Sequence, residues 1–297
     1  MAVRRYDLLQ VTTQDQLKLS GLCLLGETDK TAYIFIHGFT SDFYLHDFYH
    51  AMADSLHEQG NSIVLAQHRG TGMVTEFLTG PGQNTHLGSY YERLEDAHLD
   101  ITAYIDALRT QGYTKIGLIG HSLGTIKLIR YLFEGQHKND IQQLILLAPF
   151  DKNAYMQRKM PGRLAGYVEK AREQVGAGNG RGIVPVPEFE DFPMSYQTYV
   201  SWYEDSEISN VFDFYRKDYL FPTLQAVHVP ALVVLGEDDE FITFEEFDVT
   251  PGSALAKMKE VMPTCETVLV QNCGHTFVGH EDELVAAVAV FTQKGQV

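Results

Sequence analysis

Short apolar runs alternate along the chain with longer stretches whose apolar positions recur at helical spacing. Residues 33–36 (Tyr33-Ile34-Phe35-Ile36) are almost continuously apolar, as expected of a strand buried on both faces. Residues 62–66, 116–119, 141–147, 231–235 and 267–270 repeat that pattern, while 17–25 alternates polar and apolar and reads as an early strand near an edge. Between them, 44–59 carries Phe48, Met52 and Leu56 on one helical face and is stopped by Gly60. Residues 92–109 do the same through Leu94, Ala97, Ile101, Tyr104, Ile105 and Leu108, and end at Gly112. Two further helices are predicted at 122–133 and 282–292. This alternation predicts an α/β protein: a mostly parallel central sheet with helices on both faces. No internal repeat or low-complexity tract interrupts it.

Residues 150–225 do interrupt it. The stretch is glycine-rich around Gly176-Ala177-Gly178-Asn179-Gly180 and then carries Pro185 and Pro187. From 189 to 221 it holds 11 aromatic residues in 33, far above the 11% of the whole chain. A block of that composition between two sheet strands reads as an insertion with its own small core. The expected organisation is a core domain of residues 1–149 and 226–297 with a cap (lid) insertion over 150–225. Most of the rings are needed to hold such a lobe together; Tyr199 and Trp202 are the candidates to face a substrate. The glycine-rich connection 69–88 fits a pocket wall and a plain surface loop equally well.

Gly120-His121-Ser122-Leu123-Gly124 matches G-x-S-x-G and falls directly between a predicted buried strand and a predicted helix. That placement makes a sharp turn that strains and exposes a serine nucleophile at a helix N-terminus, where developing negative charge is favoured. A tetrahedral oxyanion needs two backbone N–H donors. Leu123, just after the nucleophile, is one candidate; Phe39, in His37-Gly38-Phe39-Thr40 after the strand 33–36, is the other. A serine hydroxyl also needs a base. Among 12 histidines, His275 in Asn272-Cys273-Gly274-His275 lies between the last strand and the last helix, with His280 its main rival. The orienting acid is sought after the strand 231–235, where Gly236 precedes four consecutive carboxylates. Asp239 is the choice, Asp238 the neighbour a one-residue error would select, and Asp151 a minor alternative. The order Ser122, Asp239, His275 is that of a Ser-His-Asp hydrolase on a strand-turn-helix elbow.

Composition narrows the partners. The 39 acidic against 23 basic residues give a formal charge of -16, which repels phosphate backbones and anionic lipid, so neither nucleic acid nor a membrane is expected. Three cysteines, Cys23, Cys265 and Cys273, match neither a disulfide framework nor a zinc pattern. His46 and His50, four apart, lack an evident third ligand. No metal or organic cofactor is expected. The first residues carry no apolar leader and no run nears the roughly 18 apolar residues of a membrane span, so a cytoplasmic location is expected.

Taken together, His37-Gly38-Phe39, the Gly120-to-Gly124 elbow, Gly236 to Asp239 and Gly274-His275 resemble the α/β-hydrolase superfamily, over residues 17–292. The surroundings of His37 and His68-Arg69-Gly70 are most similar to carboxylesterases and cinnamoyl-ester hydrolases; the segment 199–243 is similar to siderophore ester hydrolases. The resemblance implies ester hydrolysis through an acyl-enzyme, on a small apolar or aryl ester substrate. Thioesterase and acyltransferase chemistry would use the same site, and a non-catalytic ligand receptor is the reading of another class. Oligomeric state is not legible.

Overall fold

The computed structural model describes residues 4–185 and 193–294; Pro187, Phe189 and Phe192 of the aromatic insertion lie outside the described residues. In chain order the elements are β1 (Asp7–Thr12), β2 (Lys18–Leu24), β3 (Thr31–Ile36), α1 (Asp47–Glu58), β4 (Ser62–Ala66), β5 (Thr75–Thr79), β6 (Gln83–Leu87), α2 (Ala97–Thr110), β7 (Lys115–His121), α3 (Leu123–Glu134) and β8 (Ile141–Leu147). After them come α4 (Lys152–Lys159), α5 (Leu164–Gly176), α6 (Tyr196–Tyr203), α7 (Pro222–Gln225), β9 (Ala231–Gly236), α8 (Pro251–Val261), β10 (Cys265–Val270) and α9 (Glu281–Lys294).

Eight strands form one sheet in the order β1-β2-β4-β3-β7-β8-β9-β10. β1 and β2 join antiparallel, and every pairing from β4 to β10 is parallel. The fully apolar strands are the central ones, as burial on both faces requires: all six residues of β3 and all six of β9 are buried. Within β3 the period of two divides the core. Ile34 and Ile36 pack on the face with Ile101, Tyr104, Ile126 and Ile129 of α2 and α3. Tyr33 and Phe35 pack on the other, with Phe48, Met52 and Leu56 of α1 and Leu284, Val288 and Phe291 of α9.

Parallel pairing brings the carboxyl ends of β3, β7, β8, β9 and β10 to one edge of the sheet, where ligand sites of open α/β sheets lie. Ile36 pairs with Gly120, and Gly236 with Val270, so the four loops that follow these strands emerge side by side. The segment between β8 and β9 leaves from the same edge and carries α4 to α7. Asp151 ties its two ends together. Its carboxylate accepts from the Ala154 N–H (2.9 Å) at the start of α4 and from the Phe214 N–H (2.8 Å) near the return.

Three features depart from the sequence expectations. β1 precedes the strand expected to be first, the connection 69–88 holds the antiparallel hairpin β5–β6, and α8 lies between β9 and β10. No helix among the described residues is long and apolar enough to cross a membrane.

Candidate active site

Ser122 stands between β7 and α3 with φ 53° and ψ -122°, a left-handed backbone that a serine adopts only when its surroundings impose it. Here the surroundings are hydrogen bonds and close packing. The Ser122 N–H donates to the Leu147 carbonyl (2.9 Å), and the Ser122 carbonyl accepts from both the N–H (3.0 Å) and the hydroxyl (2.6 Å) of Thr125. A Cβ on Gly124 would stand 2.1 Å from the Ile36 carbonyl oxygen, so only glycine lets α3 start this close to β3. On the loop after β3, a Cβ on Gly38 would lie 2.8 Å from the Ser122 Cβ. Glycine at 38 therefore lets the His37-to-Thr40 loop pass directly against the serine, and Thr40 completes its turn with φ 52°.

His275 comes from the loop between β10 and α9. Its Nδ1–H donates to both carboxylate oxygens of Asp239, at 2.9 and 3.0 Å. Asp239 is fully buried, and its Oδ1 also accepts from the Phe241 N–H at 2.9 Å. Glu237, Asp238 and Glu240 are exposed, so burial separates one carboxylate of the four from the rest. The acid and histidine loops are tied together by the Asp238 N–H, which donates to the Cys273 carbonyl (2.9 Å). His280 lies outside this arrangement, with its Nδ1 3.4 Å from Glu283. His50 is held by the Tyr6 hydroxyl (2.9 Å) and accounts for the Tyr44 carbonyl (3.0 Å).

Ser122 and His275 line one cleft with Gly38, Phe39, Thr40 and His121. The cleft encloses about 730 Å³, part of it open to solvent. Its walls are aromatic. On one side Trp202 meets Phe39 edge-on, ring centres 4.9 Å apart, with Tyr203 beside it. On the other, Phe150, Tyr155 and Phe241 form a cluster, and Phe241 lies 4.5 Å from the His275 ring.

Of the two candidate substrate residues, Trp202 borders this cleft. Tyr199, expected to face a substrate, does not. It is fully buried in the insertion, against Tyr203 and with its hydroxyl 3.7 Å from the Met160 sulfur. The helical period explains the difference: Trp202 and Tyr199 are both on the buried face of α6, but one turn apart, and only the later turn reaches the cleft.

His46, weighed from the sequence only as a metal ligand beside His50, and His121, given no role there, both line the cleft. Burial holds each imidazole below its ordinary value, and the nearby His275 adds to the effect. The His121 Nε2–H donates to the His275 carbonyl (3.0 Å) and so braces the histidine loop from beneath. Phe150, Tyr155 and Phe241 were missed as wall residues, and Tyr203 was not separated from the rest of the aromatic block, because an aromatic residue looks the same in sequence whether it packs a core or borders a cleft.

The family model described as "Alpha/beta hydrolase family" matches residues 33–288. No curated protein matches the sequence. Among solved structures, Est1E from Butyrivibrio proteoclasticus with ferulic acid bound is similar at 18% identity and a TM-score of 0.64, over 97% of this chain and 99% of that one. The esterase Pf2001 from Pyrococcus furiosus is similar at 19% identity and a TM-score of 0.59, over 98% and 91%. The α/β hydrolase GrgF from Penicillium sp. sh18 reaches a TM-score of 0.67 at 17% identity, over 99% of both chains. With the sheet order, the serine elbow and a family match spanning most of its length, the chain belongs to the α/β hydrolase family.

Proposed function

We propose that this protein is a serine esterase that hydrolyses small apolar or aryl carboxylic esters, with Ser122 as nucleophile, His275 as base and Asp239 as the orienting acid. The observation that carries this reading is the strained Ser122 sharing a cleft with His275, whose Nδ1–H is held by the buried Asp239. With its proton fixed on Nδ1, the imidazole presents the lone pair of Nε2 to the serine hydroxyl. Ser122 Oγ attacks the ester carbonyl as His275 takes its proton, and the resulting oxyanion is held by the Phe39 and Leu123 N–H groups. Leu123 opens α3, where an N–H has no intrahelical acceptor. Collapse expels the alcohol, which takes the proton from His275. Water, activated by His275, then releases the acid and frees Ser122. These steps require side chains and backbone N–H groups alone.

The aromatic walls favour an apolar or aryl acyl group over a charged one, and the ferulic acid bound in the Est1E structure is an aryl acid of that kind. Residues 150–225 act as a cap over a core of 1–149 and 226–297. Phe150, Tyr155, Trp202 and Tyr203 are its contributions to the cleft.

The test is hydrolysis of a panel of nitrophenyl and aryl esters by the intact protein and by Ser122→Ala. Turnover should fall by about 10⁴-fold or more in the variant. Undiminished turnover in the variant would refute the assignment. Products formed with added alcohols or thiols separate hydrolysis from acyl transfer, and acyl thioesters in the panel test thioesterase activity.

A further inference from the structure

Behind the loop that carries Phe39 runs a buried chain of polar side chains that the proposed reaction does not use. Lys127 of α3 and Glu92 form an ion pair with both side chains withdrawn from solvent, Nζ to Oε2 2.5 Å. Lys127 also donates to His68 Nδ1 at 3.3 Å, and the same nitrogen accepts from the Gly70 N–H at 3.1 Å. A nitrogen that accepts from two donors carries no proton, so the proton of His68 sits on Nε2 and is donated to the His37 carbonyl (3.3 Å). His37 stacks on His68 with ring centres 3.9 Å apart. The Thr71 hydroxyl oxygen accepts from the His68 N–H (3.1 Å) and donates its own proton to His37 Nε2 (2.8 Å). The Gly38 carbonyl, 2.9 Å from His37 Nδ1, can only accept, so His37 carries its proton on Nδ1 and its Nε2 is the acceptor for the Thr71 hydroxyl.

That carbonyl is one end of the peptide unit whose other end is the Phe39 N–H. In a planar trans peptide the two groups point in opposite directions, so holding the oxygen aims the N–H. Both imidazoles stay neutral. Burial, reinforced by the Lys127 charge, brings His37 down to about 3, and burial with His37 and Lys127 lowers His68 well below its ordinary value.

We propose that Lys127 and Glu92 are positioning residues for the oxyanion donor: Lys127, with the Gly70 N–H, keeps the His68 proton on Nε2, where it anchors the His37 carbonyl and so the backbone that leads into the Gly38–Phe39 peptide. The proposal rests on the esterase reading of Ser122 and Phe39. An ammonium can only donate, so a His68 proton on Nδ1 would face it donor to donor. Glu92 pairs with the buried Lys127 side chain and holds it in place. A buried ion pair contributes little to stability as a pair, whereas misaiming an oxyanion donor is costly to the transition state.

The experiment is steady-state kinetics of the full chain on nitrophenyl acetate, alongside thermal melting. Ser122→Ala comes first, and turnover surviving there would refute the esterase reading itself. The double variant Lys127→Met/Glu92→Met removes both charges at similar volume, leaving no unpaired ion. It should melt near the parent and keep its KM, while kcat falls about 10- to 100-fold. A double variant with parental kcat would overturn the proposal. If it does not fold, a second pair carries the test: His68→Gln, which can still accept from Lys127 and donate to the His37 carbonyl, should keep most of kcat. His68→Leu should lose it at unchanged KM. Equal kcat in these two would overturn the proposal as well.

Discussion

At the scale of single residues, the four carboxylates after β9 are the clearest case of chemistry decided by burial rather than by type. Asp239 is withdrawn from solvent and holds the His275 Nδ1–H, whereas Asp238 is exposed. Asp239→Asn should lower kcat by about 10³- to 10⁴-fold, because an amide no longer fixes the histidine tautomer or stabilises the imidazolium. Asp238→Asn should leave kcat within about twofold, and side-by-side ester kinetics of the two variants checks both outcomes. In sequence the neighbouring aspartates differ by one position in a loop, so pattern narrows the choice to a pair and only the packing of the loop against Cys273 separates them. Ser122 and His275 are legible for the opposite reason. Each sits between a strand and a helix beside a glycine, and around Ser122 the close approaches at Gly120 and Gly124 leave no room for a side chain. The wall residues carry no such mark.

At the scale of elements, α6 divides its aromatic residues between two tasks. Tyr199 is enclosed within the insertion, and Trp202, also almost fully buried, sets one edge against Phe39 and the cleft. Tyr199→Ala should therefore cost about 3–5 kcal/mol of stability and leave KM for aryl esters nearly unchanged. Trp202→Ala should cost a similar amount and also raise that KM several-fold. Denaturant melts paired with ester kinetics separate the two. The central strands and the helices α1, α2, α3 and α9 are legible from sequence because their apolar residues follow one period throughout. The missed elements are those whose pattern is sparse. β1 buries two of its six residues and β5 only Phe77 of five, so neither shows enough alternation to stand out from a loop. The N-terminus of α8 does carry a signal, a Thr250 capping box followed by Pro251, but it follows directly on the acidic loop and is masked by it.

At the scale of the whole molecule, the sheet and its helices enclose three imidazoles, those of His37, His68 and His121, which burial keeps neutral. In the unfolded chain each would take up a proton near pH 6.5. The unfolded state therefore binds more protons as pH falls below that value, and stability is lost at up to about 1.4 kcal/mol per pH unit for each ring. The loss begins near 6.5, and for His37 it continues down to about 3. Asp151 works in the other direction, since burial first and then Asp213 raise it to about 7 and favour its protonated form in the fold. Its contribution is therefore lost as pH rises from about 4 to about 7. Imidazole NMR signals of the three histidines should stay unshifted from pH 8 to 5, and an Asp151→Asn variant should lose stability more steeply than the parent on acidification over that range. The strand order has a further consequence, in time rather than in space. The proposed nucleophile and oxyanion donors are encoded before residue 124, whereas the proposed acid and base follow β9 and β10, toward one edge of the sheet and late in the chain. On a ribosome adding about 5–20 residues per second, about 8–30 s pass between Ser122 and His275. On the proposed assignment the nascent chain would hold Ser122 without His275 through that interval, and reactivity would wait until β9 and β10 dock.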